Sequence, residues 1–135
     1  MLTLAACATA PMAGPQADQE GKRFDPPGQG AGAVYVYRTG WMALARTVDV
    51  GVANGYHATL APNTYFRLEG PPGPIDIMCK TDNTADRQID IAPGETRYVE
   101  VAMNAGLLGP HCSINEVSLN EGQAAVLRSK RVTPR

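Results

Sequence analysis

The chain has 135 residues, a length that suits one domain. Its 12 Lys and Arg residues nearly balance its 13 Asp and Glu residues, so the net charge of -1 gives no general attraction for nucleic acid or for an anionic membrane surface. Every apolar run is shorter than the roughly 18 residues that a membrane-spanning helix needs. The 14 Gly and 11 Pro residues favour a fold rich in turns.

The first feature along the chain is a short signal for lipid attachment. Leu4-Ala5-Ala6-Cys7 resembles a lipobox, the site at which bacterial lipoprotein precursors receive lipid on a cysteine and are cleaved before it. A complete signal peptide also has a basic region and an apolar stretch of about 7–15 residues. We therefore interpret residues 1–6 as the end of a signal peptide that starts upstream, and Cys7 as the lipidated residue. The alternative is a free cysteine in a ragged terminus.

The segment from Cys7 to residue 32 is predicted to be a flexible tether. It is rich in Ala, Pro, Gly and Gln and has few large apolar residues, so it cannot bury enough surface to offset its ordering entropy. A random coil of about 25 residues would reach about 25–30 Å. Ala8, rather than Asp, after the cysteine resembles the sorting pattern of outer-membrane lipoproteins.

From Ala33 onward, alternating apolar and polar residues predict short strands. Asn54-Gly55 predicts a tight hairpin, because both residues tolerate positive φ. Residues 39–45 and 104–110 are expected to be loops. The expected strands are 33–38, 48–52, 56–60, 64–68, 74–80, 87–91, 96–103 and 111–117.

The end of the chain predicts a helix. Ser118 and Glu121 fit a capping box, which indicates a helix over 119–129. Arg128, Lys130 and Arg131 suit the negative end of its dipole; a phosphate or lipid headgroup site is the alternative. The fold class is therefore all-β, an antiparallel sandwich or partly open barrel of seven or eight strands with a short C-terminal helix, in a domain spanning 33–131.

Two cysteines lie within this domain. In an exported protein we expect Cys79 and Cys112 to form a disulfide; the alternative is two buried thiols. Catalysis by Cys112 with His111 is disfavoured, because adjacent strand residues point to opposite faces. A metal site that also uses His57 is disfavoured, because the chain lacks the paired ligand spacing of zinc sites.

The order of several short motifs resembles an uncharacterised family of bacterial lipoproteins, whose domain has no known function. The motifs are Tyr35-Val36-Tyr37-Arg38, Asn63-Thr64-Tyr65-Phe66, Pro72-Gly73 and Pro93-Gly94-Glu95-Thr96-Arg97-Tyr98-Val99. Asn63 stands where the family has Gly, and both residues tolerate positive φ. The resemblance implies an exported β-sandwich similar to transthyretin-like or PEGA-like surface modules, and it implies no activity.

Candidate chemistry is sparse. The sequence has no nucleophile elbow, zinc-protease helix, P-loop or calcium-loop motif, so we expect no enzyme, no cofactor and no metal. Trp41 and Met42 are candidate anchors for a partner, with Trp41 covering one end of the sandwich as the alternative. Arg38 is a candidate ligand contact, with an exposed strand end as the alternative.

The sequence thus favours a non-catalytic lipoprotein held at the periplasmic face of a bacterial membrane, the outer membrane in view of Ala8. Its domain is expected to bind a protein, peptide or glycan, or to have a structural role, and to bind no nucleic acid. The first alternative is a carrier of a small apolar ligand in the interior or at one end of the sandwich. The second alternative is an enzyme.

Overall fold

The computed structural model of the chain describes residues 10–40, 46–53, 55–106 and 109–134. Within these ranges the chain forms two short helices and nine strands, which build two sheets. In chain order the elements are α1 (Pro15–Gly21), β1 (Gly32–Arg38), β2 (Val48–Val52), β3 (Tyr56–Leu60), β4 (Thr64–Gly70), β5 (Gly73–Lys80), β6 (Thr84–Ile91), β7 (Thr96–Gly106), β8 (Gly109–Val117), α2 (Leu119–Leu127) and β9 (Lys130–Arg131).

The two sheets confirm the predicted β-sandwich. The five-stranded sheet has the order β8-β7-β1-β4-β9, and the four-stranded sheet has the order β3-β2-β5-β6. Most neighbours are antiparallel, but β1 pairs in parallel with β7 and β4 pairs in parallel with β9. The predicted antiparallel arrangement therefore holds for most neighbours but not for these two pairs. Between β1 and β7 the chain crosses into the other sheet, and parallel neighbours need such long connections.

The hydrophobic core lies between the sheets. Val48, Val50 and Val52 of β2 are buried there, whereas Asp49 between them is exposed, as the alternation predicts. Each fully buried side chain of this kind stabilises the fold by about 1.5–3 kcal/mol. Further core residues are Val34, Val36, Leu60, Phe66, Ile77, Ile89, Val99, Val101 and Ile114.

A disulfide joins the two sheets through the core. Cys79 of β5 and Cys112 of β8 are bonded, with their Cα atoms 6.4 Å apart, which confirms the predicted pairing. The side chain of Asn83, in the β5–β6 turn, then pairs with the backbone of Cys112. Its Oδ1 accepts from the Cys112 N–H at 3.0 Å, and its Nδ2 donates to the Cys112 carbonyl at 3.1 Å. One side of the sandwich is thereby held closed by a covalent bond and two hydrogen bonds.

The outer face of the five-stranded sheet carries an aromatic layer that the two helices cover. The rings of Tyr35 and Tyr98 stack at 5.1 Å, Tyr65 stacks on Tyr35 at 6.0 Å, and Phe24 packs against Tyr35 at 5.6 Å. All seven residues of β1 are buried because the core covers one face of this strand and the aromatic layer covers the other. The described part of the domain therefore has three layers, and both of its helices lie on the same side.

Residues 10–31 belong to the folded domain. Tyr35 donates a hydrogen bond from its hydroxyl to the carbonyl of Gly21 at 2.7 Å, and Tyr65 donates to the carbonyl of Asp18 at 3.1 Å. Met12 forms a β-bridge with the residue that follows β9. The prediction of a flexible tether is wrong for this part of residues 7–32, because sheet tyrosines satisfy its backbone carbonyls. The described part of the folded domain therefore already includes residue 10, well before the predicted start at residue 33.

Smaller differences concern element boundaries. Ser118 caps α2 by accepting a hydrogen bond from the backbone N–H of Glu121 at 3.2 Å, as predicted, but the helix ends at Leu127 instead of residue 129. The β7–β8 pairing extends to Gly106 and Gly109, where a loop over 104–110 was expected. The predicted β2–β3 hairpin is present, with Val52 opposite Tyr56.

Candidate functional site

The structure describes some of the residues that the sequence predicted as sites and leaves others outside its described ranges. Cys7, Trp41 and Met42 lie outside the described residues. Cys79 and Cys112 form the structural disulfide. Arg38 is described, and its position differs from both interpretations of the sequence.

Arg38 is fully buried at the end of β1. Its Nη1 donates to the carbonyl of Leu60 at 3.1 Å and to the carbonyl of Arg46 at 2.6 Å. Burial lowers the pKa of this guanidinium. The alternative of an exposed strand end is wrong, and the buried side chain is not placed to contact a partner. Instead, its hydrogen bonds connect the end of β1 with Leu60 at the end of β3 and with Arg46, which precedes β2.

The four-stranded sheet presents its outer face to solvent, in contrast to the helix-covered sheet. We call the depression on this face the outer cleft. It has a volume of about 500 Å³. The residues that line it include Asp49, Gly51, His57, Thr59, Met78 and Lys80.

Strand register assembles the outer cleft. Asp49 of β2 lies between Thr59 of β3 and Lys80 of β5, and Gly51 lies between His57 and Met78 in the same way. Because Gly51 has no side chain, it leaves the middle of the face open.

The polar groups of the outer cleft differ in chemistry. Thr59 donates a hydrogen bond from its hydroxyl to Oδ1 of Asp49 at 3.3 Å. Lys80 adds an ammonium group opposite Asp49, and Met78 adds an apolar side chain that is 46% exposed. A carboxylate, a hydroxyl, a cation and a thioether on one sheet face suit recognition of a polar ligand that also carries apolar groups.

A second depression lies at one end of the sandwich, where the carrier hypothesis would place a ligand. It is an apolar slot of about 200 Å³, which is below the roughly 300–1,000 Å³ of typical ligand pockets. Val52, Leu68, Ile75 and Ile91 are among its lining residues.

Two ionisable side chains lie under α2, where Tyr37 is buried and Glu100 is half-buried. Burial raises the pKa of Tyr37 to about 12, with a further contribution from the negative charges of Glu100 and Glu121. Burial likewise raises the pKa of Glu100. The Tyr37 hydroxyl, which has no hydrogen-bond partner among the described residues, therefore stays protonated at neutral pH.

Two kinds of feature are absent from the described ranges. No group of three or more His, Cys, Asp or Glu side chains there is arranged to hold a metal ion. Neither of the helices described is long and apolar enough to cross a membrane.

Comparison with known proteins gives little information about function. No family model matches the chain. The chain is 25% identical over 126 residues to an uncharacterised protein of Haemophilus influenzae; the alignment covers 93% of this chain and 75% of that protein.

The outer cleft was not predicted from the sequence, although part of its signal is present there. Asp49 and Gly51 alternate with buried valines, and Met78 and Lys80 alternate with buried residues of β5. These positions could be assigned to a solvent face. What the alternation could not show is which of the two sheets the helices would cover.

Proposed function

We propose that the chain is an exported bacterial lipoprotein that carries lipid on Cys7 and displays a non-catalytic binding domain at the periplasmic face of the outer membrane. The disulfide between Cys79 and Cys112 carries this proposal, because such bonds persist in oxidising compartments outside the cytosol. The lipobox-like residues before Cys7 and the resemblance to uncharacterised lipoproteins support the same location.

The outer cleft is the proposed binding surface. Helices cover the other sheet, so the face with Asp49, His57 and Lys80 is the broad sheet surface left open in the described structure. Its polar groups suit a peptide, protein or glycan partner. The apolar slot at the sandwich end is small, which makes the carrier function the weaker candidate.

Lipidation is tested by metabolic labelling with a fatty-acid probe in cells that express the gene with its native upstream sequence. We expect the wild-type protein to be labelled and to sediment with membranes, and the Cys7→Ala variant to be unlabelled and released. Thr9→Ala is the matched control and should behave as wild type. Equal labelling and sedimentation of the Cys7→Ala protein would contradict lipid attachment at this residue.

Binding through the outer cleft is tested with a photo-crosslinking amino acid at position 78. The control position is Leu119 on α2, which is similarly exposed, at 55% against 46% for Met78. We expect a discrete adduct in cells from position 78 and not from position 119. Identical adducts from both positions, or none from position 78, would contradict the assignment of this face.

A further inference from the structure

The described domain starts very close to the proposed lipid anchor. Ala10 packs against the hydrophobic core, and Ala8 and Thr9 alone separate it from Cys7. A fully extended chain spans at most about 3.6 Å per residue, so the three steps from Cys7 to Ala10 reach about 10 Å. A flexible tether of about 25 residues would reach about 25–30 Å. An anchor at Cys7 therefore holds one particular end of the sandwich at the bilayer.

The surface around Ala10 lies at the end of the sandwich where β3 turns into β4. It forms a shallow depression of about 410 Å³. We call it the near-anchor surface and define it by Met12, Pro62, Asn63, Arg128 and Lys130, which line the depression together with Ala10.

Charge and exposure distinguish the near-anchor surface. Arg128 and Lys130 are both exposed, and neither forms an ion pair with an acidic side chain among the described residues. Met12, beside Lys130, is 48% exposed. Two cations next to an exposed apolar side chain match the headgroup region of a bilayer, where phosphates lie above acyl chains.

We propose that the near-anchor surface rests on the membrane and that Arg128 and Lys130 bind the phosphates of anionic phospholipid headgroups. This proposal depends on the lipid at Cys7, because two cations alone bind a bilayer weakly. The anchor holds Ala10 within about 10 Å of Cys7, close to the Debye length of about 8 Å at physiological salt, and Arg128 and Lys130 line the same depression as Ala10.

The proposed orientation places the opposite end of the sandwich away from the membrane. Asn63 donates its backbone N–H to the carbonyl of Arg38 at the end of β1, whereas Gly94 donates to the carbonyl of Ala31 just before β1. β1 has seven residues, so these two ends lie about 20 Å apart. The turn at Pro93 and Gly94 therefore faces the periplasm.

The orientation is tested with the full-length acylated protein in vesicles of phosphatidylethanolamine and phosphatidylglycerol that contain a nitroxide-headgroup lipid. A fluorophore is attached to a cysteine introduced as Met12→Cys or, in the control, as Pro93→Cys. The native cysteines do not compete, because two are bonded to each other and Cys7 carries lipid. We expect the label at position 12 to be quenched several-fold more strongly than the label at position 93.

Headgroup binding is tested by charge reversal in the Met12→Cys protein. Arg128→Glu combined with Lys130→Glu should reduce quenching at position 12 by at least half. The matched control is Arg23→Glu with Arg87→Glu, at exposed positions outside both the near-anchor surface and the outer cleft, which makes the same change in net charge and should leave quenching unchanged. Circular dichroism verifies that all variants are folded.

The outcomes separate this proposal from the proposed function. The mass of the purified protein shows first whether Cys7 is acylated, and an unmodified cysteine contradicts the proposed function as well. In acylated protein, equal quenching at positions 12 and 93 overturns the orientation alone. If charge reversal at Arg128 and Lys130 leaves the quenching at position 12 unchanged, headgroup binding by these residues is overturned.

Discussion

Reduction of the Cys79–Cys112 disulfide should lower the stability of the domain without removing any atom from the core. The bond closes a loop across a sequence separation of 33 residues. Loop-closure entropy for this length corresponds to about 3–4 kcal/mol at 25 °C. For a domain of this size, such a loss lowers the melting temperature by about 10–15 °C. Both sulfurs lie in the core, so the reduced thiols remain packed there.

The assay is denaturant unfolding of the Cys7→Ala protein, followed by far-ultraviolet circular dichroism with and without dithiothreitol. Mass spectrometry confirms that the thiols are free in the reduced sample. A variant with both Cys79→Ala and Cys112→Ala is the control, and its stability should not respond to dithiothreitol. A loss below about 1 kcal/mol in fully reduced protein would refute the reasoning from loop closure.

Three further substitutions test local contacts by the same unfolding assay. Gly122→Ala would stabilise an isolated helix by about 1 kcal/mol, but the added Cβ would overlap the Tyr98 ring. We therefore expect the free energy of unfolding to fall by about 1–3 kcal/mol. A rise would contradict this contact. Burial alone would raise the pKa of Asp18, but hydrogen bonds to the carboxylate have the larger combined effect, so the pKa lies below its usual value of 3.8. Asp18→Asn should therefore lower the free energy of unfolding by about 1–2 kcal/mol at pH 7. The difference between the two proteins should shrink as the pH falls below 3.8, because the carboxylate protonates. A difference that stays constant with pH would show that the charge of Asp18 is not the cause. Asn83→Ala removes both hydrogen bonds to the Cys112 backbone and should cost about 1–3 kcal/mol, and an unchanged midpoint would show that water replaces them.

The strands could be predicted because a half-buried strand alternates apolar and polar residues. Val48, Val50 and Val52 identify β2 and its core face, and Asn54-Gly55 identifies the hairpin that follows. The disulfide could be predicted because two cysteines remained once Cys7 was assigned to the lipid. The strand and turn signals lie in short segments, and the disulfide signal is a count of cysteines, so a single sequence is enough to show them.

The remaining features depend on contacts between distant segments. Residues 10–31 contain few large apolar residues, and hydroxyls of the later residues Tyr35 and Tyr65, 14 and 47 residues beyond the carbonyls they bond, hold them in place. Arg38 is buried because strand-end carbonyls of other segments accept its hydrogen bonds. The outer cleft exists because both helices pack on the other sheet, which residue alternation does not encode.

The proposed location of the protein depends most on lipid attachment at Cys7, and mass spectrometry of the mature N-terminus tests this attachment most directly. The protein is purified from membranes of cells that express the gene with its native upstream sequence, and then digested with trypsin. We expect the N-terminal peptide to begin at Cys7, end at Lys22 and carry the mass of attached acyl chains. A peptide that reads through from residues before Cys7, with an unmodified thiol, would contradict the account.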